Sequence, residues 1–133
     1  MLLEEIVPIA NHIFSFVDKL DKYGNTALIE AVKHKHYECA QLLIEKGNAN
    51  VNFQNRMMNT AAHVAAMNGH FEMTKLLVKS GSNVLLKNNE KFTCFDHAEN
   101  AGQTEVLEFL EPVIMEAKIW REKNCLAKIF VNK

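Results

Sequence analysis

The run Thr60-Ala61-Ala62-His63-Val64-Ala65 is followed by Gly69 and by the pair Leu76-Leu77, and the whole pattern recurs on both sides of it. Thr26 lies 34 residues before Thr60 and Thr93 lies 33 residues after it. Five residues beyond each threonine comes an alanine, Ala31, Ala65 and Ala98, and twelve beyond comes a glutamate, Glu38, Glu72 and Glu105. Sixteen and seventeen beyond stand Leu42-Leu43, Leu76-Leu77 and Phe109-Leu110, and twenty-one beyond the first two threonines stand Gly47 and Gly81. Gly69 and Gly102 share the slot nine after their threonines, where the first copy carries Lys35. A fixed offset near 33 residues is the mark of stacked helical repeats.

Each slot has a mechanical role. A threonine hydroxyl can accept an orphan backbone N–H in the first turn of a helix. The alanine five residues on keeps that helix slim enough for a neighbour to approach closely. Gly69 and Gly102 supply a left-handed residue that ends it. The glutamate suits the positive end of a second helix, which buries the leucine pair. Gly47 and Gly81 then release the chain into extended hairpin loops over 48–59 and 82–92. A helix-turn-helix-loop unit cannot bury its own apolar face, so it must stack on its neighbours.

The stretch Asp21-Lys22-Tyr23-Gly24-Asn25-Thr26-Ala27-Leu28, together with these slots, resembles the ankyrin-repeat family. That family carries Thr-Pro-Leu-His-x-Ala, a glycine, a second helix ending in Leu-Leu, and Gly-Ala-Asp-Val-Asn. The resemblance runs from residue 5 to about residue 111 and implies an all-α ankyrin-repeat solenoid with three full repeats. Repeat 1 would span 21–54, repeat 2 55–87 and repeat 3 88–111, after an N-terminal half repeat or cap over 1–20. Pro112 is followed by Val113, Ala117, Trp120, Ala127 and Val131 near helical spacing. This predicts a C-terminal capping helix over 112–133 anchored by Trp120, with a docking helix for another protein as the rival reading. The family proline is replaced by Ala27, Ala61 and Cys94, and the family histidine survives only as His63, with Ile29 and Asp96 in the other copies. The hairpin glycine is kept as Gly24 but becomes Met58 and Lys91, and the loop at Gly47-Asn48-Ala49-Asn50-Val51-Asn52 has one extra residue. These departures are expected to weaken stability rather than alter the fold.

The chain has 133 residues, of which 48% are apolar, enough for one compact domain. Its 15 lysines and arginines balance 16 aspartates and glutamates, for a net charge of −1. That balance argues against a nucleic-acid or membrane-surface partner, both of which need a strong basic excess. The start Met1-Leu2-Leu3-Glu4-Glu5 lacks the positive charge of an export signal, and no apolar run approaches the roughly 18 residues that cross a bilayer. Cys39, Cys94 and Cys125 are odd in number and form no Cys-x-x-Cys, which predicts free thiols in a reducing cytoplasmic or nuclear setting. The chain is expected to be a monomer.

Catalytic patterns fare poorly. His97-Ala98-Glu99 matches the His-x-Glu of a zinc deaminase, but no Pro-Cys-x-x-Cys follows and only Cys125 lies downstream. His34 and His36, two residues apart, would point to different sides of a helix and fall in the turn between helices. His63 takes the slot where the family uses histidine to tie neighbouring loops. With no phosphate loop, nucleophile elbow or His-Glu-x-x-His, the expectation is no enzyme activity, no metal and no cofactor.

What the resemblance implies instead is protein binding by hairpin tips and the open side of the first helices. Carried over by slot, the tip residues are Lys22, Tyr23 and Asn25, then Arg56, Met57 and Asn59, then Asn89, Glu90 and Phe92. The helix positions are Lys33 and His34, then Met67 and Asn68, then Asn100. Tyr23, Met57, Met58, Met67 and Phe92 form an apolar stripe of the residue types enriched at interfaces. The expected function is a non-catalytic protein–protein interaction module, a scaffold or adaptor. The alternative is a small inhibitor resembling the inhibitor-of-NF-kappaB group, which masks a transcription factor. The resemblance also allows Asn52 to be a substrate for asparagine hydroxylation.

Overall fold

A computed structural model describes residue 17 and residues 19–131, with side chains described up to residue 125. The expected half repeat over 1–20 therefore lies almost wholly outside the described residues. Six helices and no strands occur among those described. They are α1 (Ala27–Lys33), α2 (Tyr37–Glu45), α3 (Ala61–Asn68), α4 (Phe71–Lys79), α5 (Cys94–Asn100) and α6 (Thr104–Val131).

The three threonines start α1, α3 and α5 for the same local reason. Each has extended backbone and accepts, at 3.3 Å, the N–H of the residue three further on: Ile29, His63 or Asp96. At His63 and Asp96 the side chain also reaches back to the threonine N–H and closes a capping box. The second helices open one residue ahead of Glu38, Glu72 and Glu105, which leaves each carboxylate in the first turn.

The helices form two rows, α1-α3-α5 and α2-α4-α6, with closer contact along the first row. Alanine explains the difference. In α3 the residues Ala61, Ala62, Ala65 and Ala66 are all buried, so backbones on both sides approach it. The bulk of the core lies between the rows, around Leu28, Ile29, Val32, Met73, Leu77, Val106 and Leu110. The leucine pairs do not share this burial equally. Leu77 and Leu110 are sealed and Leu76 and Phe109 half-buried, but Leu42 is exposed.

Left-handed backbone recurs at two repeat slots. Gly69 and Gly102 adopt φ 68° and 70°, and Lys35 is forced to φ 61° at the same place. At the hairpin, Gly24 has φ 76°, while Met58 and Lys91 take φ 63° and 69°. Gly81 ends repeat 2 at φ 95°, but in repeat 1 the left-handed residue is Asn48 at φ 52° rather than Gly47. The extra residue of that loop shifts the reversal by one position, onto a side chain that tolerates it. Because a Cβ is penalised there and glycine is not, Lys35→Gly and Lys91→Gly should each raise stability by about 0.5–1 kcal/mol after the cost of a more flexible unfolded chain. Urea denaturation should show a higher midpoint at unchanged slope.

The C-terminal helix differs from expectation. α6 begins at Thr104 and runs through Pro112, so the expected boundary between 111 and 112 falls inside one helix. Pro112 offers no N–H to the Glu108 carbonyl, but both residues are exposed and water can serve that carbonyl. Val106 and Leu110 are buried, and Val113, Ile114 and Ala117 pack against the core. Trp120, the expected anchor, is 70% exposed. It follows Ala117 by three residues on the same stripe, but the repeat stack gives it nothing to bury against.

Candidate partner-binding groove

The hairpins are joined by a ladder of side-chain amides that fixes where their tips stand. Five residues before each helix-starting threonine sits an acceptor, Asp21, Asn55 or Asn88. Its Oδ1 takes two backbone N–H groups of its own turn: Tyr23 and Asn25, Met57 and Asn59, Glu90 and Phe92, at 2.9–3.0 Å. In the inner copies the amide also reaches back one repeat. Asn55 Nδ2 donates to Asn25 Oδ1 and Asn88 Nδ2 to Asn59 Oδ1, both at 2.8 Å. Asp21 acts only as an acceptor at this slot, and the hydrogen bond from the Asn25 N–H holds its carboxyl below the usual carboxylate range. Backbone bonds complete the seam, from Arg56 N–H to the Tyr23 carbonyl and from Asn89 N–H to the Met57 carbonyl.

Between the first two hairpin tips and helices α1 and α3 this scaffold leaves a groove of about 600 Å³. Ile29 and Val64 form its floor, and Met57 and Met67 its apolar walls. Tyr23 stands at one side with Lys22 Nζ 5.0 Å and Lys33 Nζ 5.9 Å from its ring centre. Tyr23, Met57 and Met67 are 55%, 57% and 43% exposed, unusual for side chains of this size. A depression of about 430 Å³ at the other side of α1 is the end of the described stack, where Ala27, Ala31 and Leu43 present the face that inner repeats turn to a neighbour.

The expected site residues divide accordingly. Lys22, Tyr23, Lys33, Arg56, Met57, Met67 and Asn68 line the groove. Asn25 also borders it but is buried, and Asn59 is buried outside it; both are ladder rungs, so their side chains are committed to neighbouring hairpins. His34 faces the stack end and pairs with Glu30 at 3.3 Å. Asn89 and Glu90 are exposed at the third tip, where Asn89 Nδ2 donates to the Arg56 carbonyl. Phe92 is half-buried edge-on to His97, 5.8 Å between ring centres, and Asn100 is exposed at the end of α5. Asn52 reaches across to the next loop, accepting from Asn83 N–H at 2.6 Å and donating to the Gly81 carbonyl. The ladder acceptors escaped the sequence reading although Asp21, Asn55 and Asn88 share one slot, which was the available signal.

The remaining reactive side chains are engaged in structure. His63 Nδ1 accepts from Thr60 N–H at 3.1 Å and Nε2 meets the Phe92 carbonyl at 2.9 Å, so the neutral Nε2–H form satisfies both partners. Burial holds its pKa below the ordinary imidazole value. His97 stands edge-on to it at 5.5 Å, with Nε2 2.7 Å from the Asn88 amide. Burial pushes the Cys94 thiol up to about 11, which makes it a poor nucleophile. Among the described residues no cluster of three metal-ligating side chains forms, and no helix is long and apolar enough to cross a membrane.

Paired helices in two rows and hairpins stitched edge to edge beside an open apolar groove define a helical-repeat solenoid. A family profile described as ankyrin repeats in many copies matches residues 4–44, 31–78 and 62–111. The chain belongs to the ankyrin-repeat family, whose repeats are generally protein–protein interaction modules.

Proposed function

We propose that this chain is a non-catalytic adaptor that holds a protein partner in the groove between hairpins 1 and 2. The observation that carries the reading is the meeting of three exposed anchors, Tyr23, Met57 and Met67, on backbone that the amide ladder holds rigid. Pre-ordered backbone reduces the entropy cost of association, and aromatic and methionine side chains supply interface energy at about 1–2 kcal/mol per anchor. A monomer acting in the cytoplasm or nucleus, where its three thiols stay reduced, accords with this role.

Affinity capture from the native cell, followed by mass spectrometry, tests the reading. The triple variant Tyr23→Ala, Met57→Ala and Met67→Ala should melt close to the wild type, because all three side chains are exposed. It should lose the proteins that the wild type captures. Recovery of the same proteins at the same yield by the folded variant would remove the groove from the mechanism.

A further inference from the structure

The net charge of −1 conceals a local imbalance. Three cations, Lys22, Lys33 and Arg56, border the groove, and no carboxylate does. Two of them converge on one ring, with Lys22 and Lys33 ammonium groups 5.0 and 5.9 Å from the centre of Tyr23. The third springs from beside it, because Arg56 N–H donates to the Tyr23 carbonyl at 3.4 Å. The nearby carboxylates are engaged otherwise. Asp21 Oδ1 accepts the N–H groups of Tyr23 and Asn25, and Glu30 takes the Asn25 amide with one oxygen and His34 with the other. Among the described residues none of the three cations has an acidic partner.

We propose that the groove recognises an extended segment of a protein partner in which a carboxylate side chain stands directly beside a bulky apolar residue, an inference that rests on the groove being the partner site. The apolar residue fills the space between Met57 and Met67 above Ile29 and Val64. The carboxylate then sits by Tyr23, where Lys33 and Arg56 compensate its charge. Desolvating the cations against this apolar floor strengthens the attraction beyond that of a surface pair. A nucleic acid fits less well, because its successive phosphates need a longer basic track than three side chains on one groove supply.

A random peptide library displayed on phage and panned on the full chain provides the test, with recovered peptides synthesised and their affinities measured. Recovered sequences should be enriched in aspartate or glutamate next to an aromatic or branched apolar residue. Their affinity should fall about tenfold or more in Lys33→Glu/Arg56→Glu, and also in the milder Lys33→Gln/Arg56→Gln should the reversal perturb folding. Exchanging the peptide carboxylate for a lysine should restore binding to the Lys33→Glu/Arg56→Glu variant. Peptides that need Met57 and Met67 but show no acidic bias and ignore both charge variants overturn the carboxylate inference while keeping the groove. Peptides indifferent to Met57→Ala/Met67→Ala, or no peptides at all, overturn the groove itself. A labelled single-stranded oligonucleotide that binds the wild type and is lost in the charge variants would assign the cations to nucleic acid instead.

Discussion

His63→Ala should lower unfolding free energy by about 3 kcal/mol, a large share of the roughly 5–15 kcal/mol that holds a domain together. The imidazole is 2% exposed and touches two repeats at once. Removing it strips the Thr60 N–H of its acceptor, leaves the Phe92 carbonyl with the Asn88 N–H alone, and opens a void between α3 and the third hairpin. His63→Gln should recover part of the loss, because a glutamine at this position can close the capping box although it makes a poorer bridge to Phe92. The pH profile gives a second reading of the same residue. The folded protein holds His63 neutral with a depressed pKa, whereas the unfolded chain takes up a proton near pH 6.5. Its contribution to stability is therefore fully present above about pH 6.5 and is lost as pH falls through the lower, folded value. Chemical denaturation at a series of pH values should show wild-type stability declining over that interval and His63→Ala declining less. Equal slopes for the two proteins would show that the buried imidazole does not carry this dependence.

Why the fold was legible and the groove only partly so follows from the range of the interactions involved. A threonine cap acts over three residues, so Thr26, Thr60 and Thr93 could be read without knowing what packs on them. The left-handed slot was equally local, and Lys35 occupies it as the alignment with Gly69 and Gly102 required. Asn25 and Asn59 show where such reading ends. An asparagine suits an open turn and a buried rung alike, and only the approach of the next hairpin decides between them. Trp120 failed for a related reason: helical spacing continued its stripe, but the surface that would have covered it stops near Ala117. The cations of the groove were named one by one. Lys22 and Arg56 share the slot four before their threonines, but Lys33 comes from a helix position, and only the fold brings it beside them. An overall charge near zero averages the three away.

Asn88→Ala should cost about 2–3 kcal/mol through hydrogen bonds alone, since the side chain removed is small but buried and fully used. It leaves the N–H groups of Glu90 and Phe92 without an acceptor and Asn59 Oδ1 without its donor. Because stability in a repeat array depends on coupling between neighbours, the loss falls on the junction between hairpins 2 and 3. Hydrogen exchange should accelerate first at the amides of Glu90 and Phe92. Asn88→Asp separates the two halves of the rung. A carboxylate keeps the acceptor for both N–H groups and can accept from His97 in its Nε2–H form, but it removes the donor and sets negative charge against the Asn59 side-chain carbonyl, so this variant should also be destabilised. The converse change, Asp21→Asn, should alter stability little, because the first copy needs only the acceptor that both residues provide. Equal tolerance of aspartate at positions 21 and 88 would mean that the bond from Asn88 to Asn59 does not couple the repeats. Tolerance at 21 with loss at 88 would identify the amide donor as the element that carries stability from one hairpin to the next.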